Sequence, residues 1–164
     1  MARAGSASTR RIAELLRSPQ GLAQSIAALS MVDGVVMPTL DAGQIVEANA
    51  GTDALEQLTG FRYPAVNVYC EKISNTQREK FRSFSGTVKV AVDVRVTSDT
   101  LPGLTDQLHF YVEALTRLLD VSRGSWGLGL SYAGEYDVTY GPAKAGGKNY
   151  VQSAKVSMPI DVSA

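Results

Sequence analysis

The chain holds one cysteine, one histidine and one tryptophan in 164 residues. With Cys70 alone, no disulfide can close within the chain, which suits a reducing cytoplasm. One cysteine and one histidine cannot furnish an ordinary zinc site. His109 falls on the polar side of a helical pattern. Any Ser-His-Asp or Cys-His site would have to use it, and nothing in the adjoining sequence builds one. No Asp-x-Asp-x-Asp-Gly loop offers a calcium cage. The glycine-rich stretch 124–129 lacks a Lys-Ser/Thr pair and precedes a strand, so it fails as a phosphate loop. No run reaches the roughly 18 apolar residues of a membrane span, and the N-terminus has no secretory apolar core. Net charge is missing too: 16 basic residues cancel 16 acidic ones. A general nucleic-acid binder would show a basic excess. Neutrality is also a solubility liability, tolerable in a protein that spends its life assembled.

What charge there is lies segregated. Residues 1–20 carry Arg3, Arg10, Arg11 and Arg17 against Glu14. Residues 18–61 have no Lys or Arg but contain Asp33, Asp41, Glu47, Asp53 and Glu56. The balance then swings basic, with Arg78, Lys80 and Arg82 close together. Two readings stand: solvated faces, or complementary patches that meet between copies of the chain.

The strongest periodic signal is at 85–99. Val88, Val90, Val92, Val94 and Val96 alternate with Lys89, Ala91, Asp93 and Arg95. Side chains alternate across a strand, so this predicts one dry and one wet face. The wet face, with Lys89, Asp93 and Arg95, is expected to meet solvent or a neighbouring subunit. A shorter alternation, Val66, Val68 and Cys70, predicts a partner strand over 63–73. Thr100 and Pro102 open a helix over 102–121, whose Leu104, Leu108, Tyr111, Leu115, Leu118 and Leu119 form the natural cover for the valines. Two more strands are expected at 132–140 and 150–162, the second with Ala154, Val156, Met158, Ile160 and Val162 facing inward. Upstream, residues 1–8 read as a mobile tail, and 9–30 as a helix or two helices broken at Ser18-Pro19, with Ser18 capping the second. The apolar stripe of 9–30 packs either on the domain's own core or, as an arm, on a neighbour. Residues 31–63 read as a connector punctuated by glycines and Pro38, with a short strand through 44–48 and a helical turn or two over 52–58, and 74–84 as a basic loop anchored by Phe81 and Phe84.

The expected fold is therefore α+β: a four-stranded, mostly antiparallel sheet in the order β-β-α-β-β, one long helix on one face, and an N-terminal helical arm. The expected division is an arm and connector over 1–60 and a core over 61–164. Trp126 sits in the glycine-rich 122–131 stretch as an anchor, either into the core or into a partner.

This order, with Tyr63-Pro64-Ala-Val-Asn-Val-Tyr69, a valine-rich strand ending in Thr-Ser-Asp99, a helix with Leu118-Leu119 and two closing strands, resembles the tail terminator (tail completion) proteins of long-tailed bacteriophages and their head–tail joining relatives. The resemblance covers 61–164. It implies a structural virion protein, assembled in the host cytoplasm, that forms a hexameric ring, caps the tail tube and meets the head–tail connector. It implies no catalytic residues, no cofactor, no metal and no membrane; DNA passes through such a ring without sequence-specific contact. Arg78, Lys80, Arg82, Asp93, Arg95 and Trp126 are the candidate subunit-interface residues. The alternatives are another neck component (a head-completion adaptor or a tail-tube-like subunit) or a small cytoplasmic ligand-binding protein or enzyme using the Trp126 loop.

Overall fold

The computed structural model describes residues 3–164 and places the valine alternation in the interior of a sheet. In chain order the elements are α1 (Ala4–Arg17), α2 (Leu22–Asp33), a 3-10 turn (Ala42–Gln44), β1 (Ile45–Val46), α3 (Thr52–Glu56), β2 (Ala65–Ser74), β3 (Ser85–Ser98), α4 (Leu101–Val121), β4 (Gly124–Gly127), β5 (Leu130–Tyr132), β6 (Asp137–Tyr140), β7 (Lys144–Gly146) and β8 (Asn149–Ser163). The sheet runs β1-β2-β3-β8-β5-β4, with β6 and β7 also paired to β8. β1 is parallel to β2 and the other pairings are antiparallel. The sheet curls into a half-barrel.

The α+β class and the long covering helix are as expected, but the sheet has more strands than four. The added ones are short. β8 runs beside β3 from Ser85↔Ser163 to Ser98↔Tyr150 and fills its other edge with β5, β6 and β7 in turn. The single strand expected over 132–140 is two. The backbone leaves the ladder after Tyr132, where Gly134 takes a φ of +100°, a conformation glycine adopts freely. The Tyr132 hydroxyl donates to the Glu135 carbonyl at 3.1 Å and holds the detour.

The valine face is the core. Val88, Val90, Val92, Val94 and Val96 are buried, opposite Val66, Val68 and Cys70 on one side and Val156, Met158 and Ile160 on the other. Burial stabilises by about 1.5–3 kcal/mol per such side chain before ordering entropy is subtracted. α4 covers the β3–β8 part of this face with Leu104, Leu108, Tyr111, Leu115 and Leu119. Thr100 caps α4 by accepting the Gly103 N–H at 3.1 Å.

Residues 9–30 do not project as an arm. α1 lies on β2 and β3, α2 packs on α4, and Ile12, Leu16, Leu22, Ile26 and Leu29 join the same cluster as the valines. α1 also begins earlier than expected, at Ala4, so 4–8 is helix rather than tail; Met1 and Ala2 lie outside the described residues. The small residues that look like a polar tail are a close-packing stripe. Ala4, Gly5, Ser8 and Thr9 are buried, and a Cβ on Gly5 would come within 3.1 Å of the Cys70 sulfur. Ser18 ends α1 instead of starting α2: its hydroxyl donates to Leu15 O at 2.9 Å, and α2 begins only at Leu22. Within the connector the expected strand and helical turn are present: β1 pairs with the start of β2 through Ile45↔Val66 and Val46↔Asn67, and α3 spans Thr52–Glu56.

Candidate subunit-contact surface

The sheet face opposite the valines carries the charges, and the structure distributes them unevenly. Arg95 is buried, with only 7% of its surface exposed. Its guanidinium donates to Asn67 Oδ1 and, at 3.0 Å, to Ala50 O, and lies 3.7 Å from an Asp93 carboxylate oxygen. Asn67 in turn donates to Ala48 O at 2.9 Å. The connector thus lies over the Arg95 end of this face. Burial pushes the Asp93 carboxyl above its usual range, although Arg95 pulls the other way. Arg95 and Asp93 are therefore spent within the subunit, holding the connector to β2 and β3.

Further along the same face a polar web is open to solvent. Glu71 accepts from Lys155 at 2.6 Å and from the Ser157 hydroxyl at 3.1 Å, and stands 3.7 Å from Lys89. The Lys155 bond holds the Glu71 carboxyl below its usual range, and Glu71 raises Lys155 in return. The Tyr69 hydroxyl, raised mainly by burial, reaches toward Asp93 at 3.4 Å. Glu71 gains this position from an irregularity in the β2–β3 ladder between Cys70 and Lys72.

Trp126 is half-buried against the core rather than displayed. Its indole N–H donates to Ser122 O at 2.8 Å, and its ring lies 5.4 Å from that of Tyr132. Arg78, Lys80 and Arg82 stay exposed on the 75–84 loop, far from Arg95, so the six candidates form no single patch. Of the two expected anchors of that loop, Phe84 is buried but Phe81 is 94% exposed.

Sequence reasoning missed one surface. Met31, Val32, Val35 and Val36 are exposed, Val36 at 95%, around the end of α2. Gly34 turns the chain there with a φ of +66°. The signal was present: Asp33 is the only charged residue between Arg17 and Asp41. A helix end with one charge and several exposed apolar side chains is a candidate contact face.

Among the described residues, no group of three or more His, Cys, Asp or Glu could hold a metal ion, and no helix is long and apolar enough to cross a membrane. Burial raises the Cys70 thiol, which works against thiolate formation. His109 stacks near Tyr140 with ring centroids 5.0 Å apart. What the fold leaves exposed is an apolar helix end, a basic aromatic loop and a charged sheet face. No protein-family model matches the chain, and no curated protein matches it.

Proposed function

We propose that the chain is a structural subunit of a long-tailed bacteriophage, a tail terminator that forms a ring, caps the tail tube and joins it to the neck. The observation that carries this reading is the element order: two long antiparallel strands, α4 laid across their valine face, and a return to the long β8 beside β3. The exposed apolar side chains, Phe81 and the group Met31, Val32, Val35 and Val36, suit a protein that works in an assembly. The partners on this reading are further copies of the chain, the tail tube protein and the head–tail connector.

A second reading is another neck component, a head-completion adaptor or a tail-tube-like subunit. The apolar end of α2 favours it, because that face suits a different protein as well as it suits a second copy. The ligand-binding reading depended on Trp126, whose indole is already engaged by Ser122.

The test is the particle itself. Mass spectrometry of purified virions should detect the chain, and electron microscopy of particles made without its gene should show tails of irregular length that fail to join heads. Absence of the chain from purified particles overturns both virion readings. Normal tail length with unjoined heads favours the adaptor.

A further inference from the structure

Two surfaces of opposite charge lie at the two ends of the β2–β3 hairpin. The first is the 75–84 loop. Its base is tied down: the Phe84 N–H donates to Ala164 O at 3.0 Å, the Ala164 N–H returns to Phe84 O at 2.9 Å, and the Ser85 N–H donates to Asn75 Oδ1 at 3.3 Å. Its tip is held out. Arg78 and Phe81 take φ values of +49° and +70°, in the left-handed region that side chains disfavour. Lys80 Nζ sits 5.2 Å from the Phe81 ring centre, and Arg78 and Arg82 flank it; Glu79, the loop's only acid, stands 4.0 Å from Arg82 and leaves the loop net basic. A backbone held in this region at two nearby residues, one of them bearing a fully displayed phenyl ring among cations, points to a role for the tip.

The second surface lies roughly 30 Å away, the span of a ten-residue strand at about 3.3 Å per residue. There α3, the 57–62 turn, β1 and the start of β2 frame a small, shallow crevice walled by Val46, Leu55, Leu58, Arg62 and Val66. α3 carries Asp53 and Glu56 at its exposed side. The whole stretch 18–61 contains no base, and Arg62 at the crevice is already paired with Asp41.

We propose that the basic loop of one copy docks on the α3 crevice of the next, with Phe81 packed across the crevice mouth and Arg78, Lys80 and Arg82 facing Asp53 and Glu56. The hairpin holds the two surfaces apart, so one copy cannot pair its own. The contact is head to tail and joins unlike faces, and it repeats until it closes or runs on as a filament. The inference rests on the ring reading for closure, and on charge and shape for the contact.

The experiment is sedimentation velocity with native mass spectrometry on the full chain at high concentration and low salt. Wild type should assemble with rising concentration and dissociate as salt rises. Phe81→Ala, the pair R78E/R82E and the pair D53K/E56K should each remain monomeric while keeping the wild-type circular dichroism spectrum. If D53K/E56K loses that spectrum, D53N/E56Q takes its place and should weaken assembly at least tenfold. Mixing R78E/R82E with D53K/E56K should restore assemblies containing the two in equal number, because each reversed loop then meets a reversed crevice. A monomeric wild type, variants that assemble like wild type, or a mixture that stays monomeric would overturn the contact. So would wild-type binding to a short DNA duplex that R78E/R82E loses while its assembly persists. Virion content is scored separately: particles that incorporate the chain while these variants assemble normally leave the ring reading standing without this contact.

Discussion

Replacing Arg95 with methionine isolates the bond between sheet and connector. The substitution keeps an unbranched stem but removes the guanidinium that serves Asn67 Oδ1, Ala50 O and Asp93. Breaking a buried ion pair by removing one partner costs about 3–5 kcal/mol, because the remaining charge is left uncompensated. The Asp93 side chain retains some solvent contact, at 15% exposure, so the lower end applies, about 3 kcal/mol. In urea, with a slope of about 2 kcal/mol per molar, the midpoint should fall by roughly 1.5 M. Melting should fall by about 6–12 °C. The pH dependence adds a sharper check. Burial already raises Asp93 above its ordinary value of 3.8, and Arg95 is the largest influence lowering it. Without Arg95 the folded-state value climbs further. A carboxyl raised in the folded state contributes stability that is lost as pH rises through that value. The deficit of Arg95→Met should therefore be largest at neutral pH and shrink toward pH 3.8. Adding Asp93→Asn should recover part of the loss at pH 7. A neutral-pH deficit below about 1 kcal/mol would show that Arg95 is not the buried cation described above.

Gly21→Ala should destabilise by about 1–3 kcal/mol in thermal or urea melts, since its Cβ would meet Leu15 O at 2.4 Å and Leu16 O at 2.5 Å, both backbone atoms. Thr100→Ala should cost about 1 kcal/mol through loss of the α4 cap, and Thr100→Ser should recover most of it in the same melts. Glu71→Gln should cost less than about 1 kcal/mol at pH 7, because Lys155 and Lys89 are substantially exposed. Glu71 is lowered from 4.5 in the folded state, so its contribution is present above that value and fades as pH falls through the lowered one; the wild-type and Glu71→Gln melting curves should converge in strong acid.

The legible parts were those with a long, regular period. β3 and β8 alternate over more than a dozen residues and α4 repeats its leucines over five turns, so the two-layer core could be read from residue order. β5, β6 and β7 could not be read so. They are three or four residues long, and β7 is exposed throughout, paired by its backbone alone. The first turns of α1 escaped because they pack through small residues, which carry no hydrophobic signal. Arg95 misled for a different reason. Alternation places it correctly on the face opposite the valines, but its burial depends on Ala50 and Asn67, brought over it by a connector distant in sequence. Of the candidate surface, the charge of 78–82 and the scarcity of charge over 18–40 were visible; which apolar residues stay exposed, Phe81 and those at the end of α2, was not, because that depends on which side of a loop or helix finds a neighbour.

β8 also governs how the chain reaches this fold. It is made after every strand it pairs with, and it stands between β3 on one edge and β5, β6 and β7 on the other. A helix can form as it leaves the ribosome, but this sheet cannot join its two sides until its last long strand arrives. Contacts so distant in sequence make for slow folding. Throughout that delay β3 presents an unpaired, valine-rich edge, the kind of edge on which neighbouring chains recruit one another. The topology thus sets a race between the arrival of β8 and the encounter of two nascent chains, and crowded synthesis of many copies at once is the condition under which that race is closest.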